Sequence, residues 1–221
     1  MTKNGIKSKE RVRDHGEVFT PEHIVNDMLD LVKNETENIE SRFLEPACGD
    51  GNFLAPILQR KIAKVKEKYA SSQTEFERSA VVAVGSVYGV EILQDNVEAC
   101  IERLFDIVDG IYSKLYKDKC KNNFRDSIRF VLKCNILLGD ATNLRRPDNN
   151  EHIVFSEWSP VNGSMIKRRD FTFDEILKKE SGNIGLFASI NKETTTDPYF
   201  KKNPIKEFPL THYLSLGYET N

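Results

Sequence analysis

The residues best suited to chemistry form a glycine turn in the first third of the chain. The turn lies in residues 45–54, EPACGDGNFL. Gly49 and Gly51 let the backbone approach a ligand closely, because glycine carries no side chain to obstruct it. Phe43 and the residue after it predict a strand before the turn, and residues 55–65 predict a helix after it. The N-terminus of that helix would face the ligand.

Glu45 distinguishes this turn from a dinucleotide site. Only part of the usual glycine fingerprint of dinucleotide-binding proteins is present. A carboxylate at the end of the strand can meet a positively charged or hydroxyl-bearing group, whereas it would repel a pyrophosphate. The residues therefore favour S-adenosylmethionine over a dinucleotide as the ligand.

A second motif lies upstream, in residues 16–25, GEVFTPEHIV. Thr20 before Pro21 is by itself an ordinary helix start, with the threonine as cap and the proline at the first helical position. Apolar residues at helical spacing then run from Ile24 to Val32 and predict a helix.

Together the two motifs resemble those of the gamma-class adenine-N6 DNA methyltransferases of type I and type IIG restriction-modification systems. In that family the Thr-Pro turn starts a helix that covers the methionine end of S-adenosylmethionine. The resemblance covers about residues 16–144. It implies an α/β class I S-adenosylmethionine-dependent methyltransferase fold, which is Rossmann-like, with a mainly parallel sheet and helices on both faces.

Acidic residues after two later predicted strands extend the resemblance. Residues 80–90 predict a strand, after which Glu91 could accept hydrogen bonds from both ribose hydroxyls and Ile92 would lie against adenine. Residues 136–138 predict another strand, and Asp140 matches the family position that accepts the adenine amine. Alternatively, Glu91 caps the following helix, and Asp140 belongs to a common turn. The predicted cofactor-binding residues are Phe19, Thr20, Pro21, Glu45, Pro46, Ala47, Cys48, Gly49, Gly51, Asn52, Phe53, Glu91, Ile92, Asp140 and Ala141.

The amine-binding motif of the family, Asn-Pro-Pro-Tyr or Asp-Pro-Pro-Tyr, is absent after the predicted fourth strand, residues 153–155. Its place is taken by Ser156, Glu157 and Trp158, which are the candidate catalytic residues. In that role Glu157 would accept a hydrogen bond from an amine, and Trp158 would stack on a flipped base. We favour the alternative, a strand that ends in a buried tryptophan with Glu157 in a salt bridge to the basic residue at 167 or 168.

Functions of different classes follow from the resemblance. In the first, the protein is a DNA adenine methyltransferase whose target sequence is read by a separate specificity or partner subunit, because we expect no room here for a target-recognition domain. In the second, it binds the cofactor as a catalytically silent regulatory or scaffolding subunit. Methyl transfer to a substrate other than DNA is a third function that the sequence leaves open.

Composition predicts a soluble, cytoplasmic protein. The 221 residues are 39% hydrophobic, and no apolar run approaches the roughly 18 residues of a membrane span. The N-terminus is polar and basic, unlike a signal peptide. The four cysteines are scattered, without the close pairs typical of metal sites, so we expect no metal. A net charge of −2 argues against DNA binding without a partner.

We divide the chain into three parts. A basic N-terminal segment covers residues 1–15, the cofactor-binding domain covers residues 16–180, and an irregular segment covers residues 181–221. Aromatic and apolar side chains should hold this last segment on its support. These expected anchors are Phe187, Tyr199, Phe200, Phe208, Pro209, Tyr213 and Leu214.

Overall fold

The computed structural model describes residues 10–11, 20–173 and 204–218. Its α-helices are α1 (Glu22–Asp30), α2 (Lys33–Glu37), α3 (Leu54–Tyr69), α4 (Gln73–Gly85), α5 (Gln94–Tyr116) and α6 (Asn122–Asn135). Its strands are β1 (Phe43–Glu45), β2 (Val87–Glu91), β3 (Ile136–Leu138), β4 (Val154–Pro160), β5 (Met165–Thr172) and β6 (Lys206–His212). Short 3-10 helices cover Lys117–Lys119 and Leu216–Tyr218.

The first three strands form a parallel sheet in the order β1-β2-β3. Both connections step across the sheet in the same direction, and right-handed crossovers then place their helices on the same face. The contacts agree with this rule, because Phe43, Val87 and Ile136 share one apolar core with the helices from α3 to α6. The predicted α/β organisation with parallel strands is confirmed in this part of the chain.

The opposite face of the parallel sheet is covered differently. Side chains alternate along a strand, so Tyr88 and Val90 point away from those helices. They pack with Ile153, Phe155 and Phe173, and the rings of Tyr88 and Phe155 meet edge to face at 5.5 Å. The prediction of helices on both faces is therefore wrong for the residues that the structure describes.

An antiparallel sheet in the order β4-β5-β6 supplies this cover. Within the described ranges, no crossover after β3 brings a further parallel strand beside β1, and so no helix is carried to the second face. The predicted fourth strand at residues 153–155 is real but longer, since β4 runs from Val154 to Pro160. It is also antiparallel to its neighbour, which the sequence did not indicate.

The prediction of a strand over residues 80–90 is wrong for the first half of that range and confirmed for the second. Helix α4 extends to Gly85, and β2 begins only at Val87. Ser72 is the N-cap of this helix, and its hydroxyl accepts a hydrogen bond from the backbone N–H of Glu75. The helix end and the strand are both almost entirely buried. A continuous apolar run of this kind has no periodicity that separates a helix from a strand.

Glu77 on α4 joins the C-terminal segment to the helices. Its fully buried carboxylate accepts hydrogen bonds from the hydroxyls of Tyr112 and Tyr213 and from the ammonium group of Lys121. Burial by itself raises the pKa of Glu77, but the hydrogen bonds, led by that of Lys121, outweigh it and lower the pKa below its ordinary value. This network fixes Tyr213 against helices α4 and α5.

The expected C-terminal anchors are confirmed in part. Phe208 and Tyr213 are buried, whereas Pro209 is exposed. Phe187, Tyr199 and Phe200 lie outside the described residues. Residues 206–212 form strand β6 rather than the irregular structure that we expected. Across the described ranges, no helix is both long enough and apolar enough to span a bilayer.

Candidate functional site

The glycine turn lies between β1 and α3, as predicted. Gly49 has a φ of 53° and Gly51 a φ of 88°. Both angles lie in the left-handed region of backbone conformation, which residues with a Cβ atom rarely adopt. A Cβ atom on Gly51 would also lie 2.9 Å from the Sγ of Cys100. Conformation and space therefore both require glycine at this turn.

The turn is attached to the end of β2. The backbone N–H of Cys48 donates to the carbonyl of Val90 at 2.9 Å, and that of Gly51 donates back to Cys48 at 2.9 Å. A Cβ atom on Gly89 would come within 2.8 Å of the Cys48 sulfur. Sequence reasoning missed Gly89, although its place just before the predicted ribose-binding carboxylate was visible.

Cys48 is held as a thiol under the turn. A hydrogen bond with Cys100 and burial both raise the pKa of the Cys48 thiol well above its usual value. Cys48 is 3% exposed, and Cys100 is fully buried. Because a nucleophile would have to be the thiolate, Cys48 acts here as a packing residue of the glycine turn.

Glu91 ties the turn to the start of α5. Its Oε2 accepts a hydrogen bond from the N–H of Gly49 at 2.9 Å, and its Oε1 accepts one from the N–H of Leu93 at 3.0 Å. The bond from Leu93 matches the interpretation of Glu91 as a cap of the following helix, whereas the sequence did not predict the bond from Gly49. Each carboxylate oxygen keeps a further lone pair with which it can accept from a ligand hydroxyl.

Glu45 is a carboxyl group in a poorly hydrated position at the end of β1. Burial raises the pKa of Glu45 above its ordinary value, against the opposing hydrogen bond from the N–H of Ala47. That hydrogen bond spans 3.2 Å. A positively charged ligand group beside Glu45 would therefore stabilise its ionised form.

The Thr-Pro segment lies beside the glycine turn. The side-chain amide of Asn52 donates to the carbonyl oxygen of Thr20 at 2.6 Å, across 32 residues of sequence. Helix α1 begins at Glu22, with Pro21 as its capping residue and no side-chain cap. The interpretation of Thr20 as an ordinary helix cap is therefore wrong. Phe19 lies outside the described residues.

Asp140 follows β3 at the same edge of the sheet. Its carboxylate accepts hydrogen bonds from the backbone and hydroxyl of Thr142 and from the amide of Asn143. The side-chain bond from Thr142 is the main cause of its lowered pKa. The N–H of Gly139 donates to the carbonyl of Glu91 at 2.9 Å, which places the two acidic residues on neighbouring strand ends.

The other predicted cofactor residues complete this edge. The side chain of Ile92 is 45% exposed, which leaves an apolar surface next to Glu91. Pro46 and Ala47 are exposed on the turn, Ala141 is half-buried after Asp140, and Phe53 packs against the core. Because the carboxyl ends of parallel strands meet at one edge, β1, β2 and β3 bring their predicted residues together there.

The candidate catalytic residues lie elsewhere, inside β4. Ser156 is 2% exposed. Its hydroxyl donates to Asp170 at 2.7 Å and accepts from the Nε of Arg168 at 3.1 Å. Trp158 is 5% exposed, and its indole N–H donates to Asn135 at 3.2 Å. The buried tryptophan of the alternative interpretation is therefore present.

Glu157 forms salt bridges that the sequence did not predict. Its carboxylate contacts Arg42 at 2.8 Å and Arg169 at 3.2 Å, instead of the basic residue expected at 167 or 168. The reason is the strand register, which places Glu157 directly opposite Arg169 on β5. All three candidate catalytic side chains thus have structural partners, and their placement supports the structural alternative.

The described side chains include no group of three or more histidines, cysteines or carboxylates that could hold a metal ion. The carboxyl edge of the parallel sheet brings together a glycine turn, carboxylates at strand ends and the exposed side chain of Ile92. No family model matches this chain, and comparison with curated proteins and with solved structures likewise finds no match.

Proposed function

We propose that the protein binds S-adenosylmethionine, or its demethylated product, at the carboxyl edge of the parallel sheet. The observation that carries the proposal is the hydrogen bond between Asn52 and Thr20. It joins the two motifs of the resemblance, which the sequence alone leaves separate. A binding site made from both motifs needs them side by side.

Each end of the ligand has a chemically suitable partner in this arrangement. Glu45, whose pKa is raised mainly by burial, faces the positively charged methionine end. Glu91 accepts from the ribose hydroxyls, while the exposed Ile92 packs on adenine. Asp140 accepts from the adenine amine once its contact with Asn143 opens. The glycine turn lets the backbone approach the ligand between these two ends.

The finer proposal is that the chain acts as a DNA adenine-N6 methyltransferase-like protein of a restriction-modification or related system, with a partner subunit that reads DNA. One observation favours a second candidate, a catalytically silent cofactor-binding subunit. Ser156, Glu157 and Trp158 are buried and hydrogen-bonded inside β4. A group that receives a methyl acceptor must instead be accessible to it.

Calorimetric titration with S-adenosylmethionine tests the cofactor site. Gly49→Val should abolish binding, because valine cannot adopt the backbone conformation of the turn. Gly110→Val is the matched control, since a Cβ atom at Gly110 meets nothing within 4 Å. Absence of binding by the wild type, or unchanged affinity in a folded Gly49→Val variant, would exclude this site.

A tritiated-methyl transfer assay on mixed DNA separates the two candidates. Under the silent-subunit proposal, the wild type binds cofactor without transferring methyl groups. Transfer that is lost in Glu157→Ala and Trp158→Ala variants of unchanged stability would instead establish β4 as a catalytic strand. Transfer that survives both substitutions would assign the chemistry to other residues.

A further inference from the structure

A cavity of about 430 Å³ lies beyond β3, away from the glycine turn. It is bordered by the end of α6, by β3, by the loop of residues 146–153 and by the antiparallel sheet. None of its lining residues belongs to the predicted cofactor-binding set. Its volume falls within the roughly 300–1,000 Å³ typical of small-ligand pockets.

The charge of this cavity is positive although the whole chain is slightly acidic. Two carboxylates line it, against the four cationic side chains of Lys133, Arg146, Arg168 and Lys206. Asp170 pairs with Arg168 at 3.0 Å, and Arg146 pairs with Asp148 at 2.7 Å. Among the described residues, no carboxylate forms a salt bridge with the two lysines. The lining side chains therefore carry two more positive than negative charges (four minus two), which favours an anionic ligand.

The cavity also has an apolar wall. Four apolar residues line part of it: Leu137 and Leu138 of the edge strand β3, with Ile153 and Val154. Phe208 lines it from β6, with the Lys206 ammonium 4.6 Å from its ring centre. A bare inorganic anion needs only the cationic groups, whereas a ligand with an attached flat or apolar part uses both surfaces.

Two exposed polar side chains also line the cavity. Asn149 and Glu151 are exposed there and bond to each other at 3.0 Å. An amide and a carboxylate offer both donor and acceptor atoms to the edge of a nucleobase. The combination of two lysines, an apolar wall and an amide edge matches a nucleoside phosphate better than it matches a simple anion.

We propose that this cavity binds a nucleoside phosphate, with the base against Leu137 and Val154 and the phosphate beside Lys133 and Lys206. The ligand is either a free nucleotide or one nucleotide of a single-stranded nucleic acid, since the same groups recognise both. The proposal is independent of S-adenosylmethionine binding, because no residue of the glycine turn lines the cavity.

Calorimetry with AMP and fluorescence anisotropy with a labelled single-stranded oligonucleotide test the proposal on the full chain. The double variant Lys133→Glu, Lys206→Glu should lose about tenfold or more in affinity, and wild-type binding should weaken with added salt. Lys68→Glu, Lys114→Glu is the matched control, since both lysines are exposed and lie outside the cavity. It should bind as the wild type does.

The outcomes separate the possible ligands. Binding of AMP identifies a free nucleotide, and binding of the oligonucleotide alone identifies a nucleic acid strand. Failure of both probes, or equal affinity for inorganic phosphate and AMP, would overturn the proposal. Nucleotide binding should also persist in Gly49→Val. Its loss there would assign the nucleotide to the glycine turn and overturn the assignment to this cavity.

Discussion

The two sheets place their acidic residues at different points along the strands. In the parallel sheet, Glu45 and Glu91 are the last residues of β1 and β2, and their carboxylates accept hydrogen bonds from backbone N–H groups. In the antiparallel sheet, Glu157 and Asp170 lie within strands and contact guanidinium groups of arginines. The same residue type thus bonds to backbone N–H groups at the strand ends of one sheet and to arginine side chains within the strands of the other.

Strand geometry explains this difference. Parallel strands are joined by crossovers, so each strand end opens into a loop at a shared edge where a ligand can enter. Neighbouring antiparallel strands place side chains directly opposite one another, which favours cross-strand ion pairs. Position relative to the strand end, rather than residue type, separates the candidate ligand-binding carboxylates from the structural ones.

The largest effect is expected where the two regions are joined. Glu77→Ala should lower the free energy of unfolding by about 3–5 kcal/mol, because it leaves the buried hydroxyls of Tyr112 and Tyr213 without their shared acceptor. Urea denaturation of the wild type and the variant measures this difference in the free energy of unfolding. Glu67→Ala is the control, since Glu67 is exposed and pairs only with Lys64 among the described residues. Equal stability of the two variants would show that Glu77 does not join the regions.

A pH response near neutrality is expected in the parallel region. Burial lowers the pKa of Lys61 to about 7, and its Nζ lies within hydrogen-bond distance of the carbonyls of Asn38, Ile39 and Ser41. An unfolded lysine has a higher pKa and binds more protons above pH 7, so stability rises with pH between the folded and unfolded values. The expected slope is up to about 1.4 kcal/mol per pH unit.

Lys61→Met tests this assignment. Urea denaturation of the wild type and the variant at neutral and at alkaline pH should show a stability difference that shifts towards the wild type as pH rises. Parallel pH profiles of the two proteins would mean that Lys61 stays charged in the folded state, with the carbonyl contacts offsetting its burial.

A pair of substitutions compares the two kinds of carboxylate directly. Glu91→Gln should weaken S-adenosylmethionine binding by roughly 1–3 kcal/mol, as expected for a charge-assisted hydrogen bond. Glu157→Gln should lower stability by a similar amount through its contacts with Arg42 and Arg169, and leave cofactor affinity unchanged. Titration calorimetry of both variants measures their affinity for S-adenosylmethionine, and urea denaturation measures their stability. A reversed result would invert the assignment of ligand-binding and structural roles.

The smallest effect concerns the contact between the two sequence motifs. Asn52→Ala removes the hydrogen bond to Thr20, which is worth about 0.5–1.5 kcal/mol. Cofactor should protect the segment around Thr20 from limited proteolysis in the wild type and protect it less in the variant. Asn149→Ala, a substitution far along the chain on an exposed loop, serves as control. Identical cleavage with and without cofactor would mean that this segment does not close over the ligand.

Several local features were predictable because neighbouring residues dictate them. The strand before the glycine turn, helix α3 after it and strand β3 all lie where the sequence predicts them. Gly49 and Gly51 have the left-handed backbone angles for which glycine is suited. The prediction failed at residues 80–85, where a buried helix end has the same apolar composition as a strand.

The sequence by itself determined the glycine turn, the alternation of helices and parallel strands, and the acidic residues at strand ends, since each depends on a short stretch of chain. Only the tertiary structure decided which side chains meet over long distances: Glu157 with Arg42, Glu77 with Tyr213, and Asn52 with Thr20. These contacts depend on strand register and on which sheet covers the second face. Both follow from how the whole chain packs, and no local pattern encodes them.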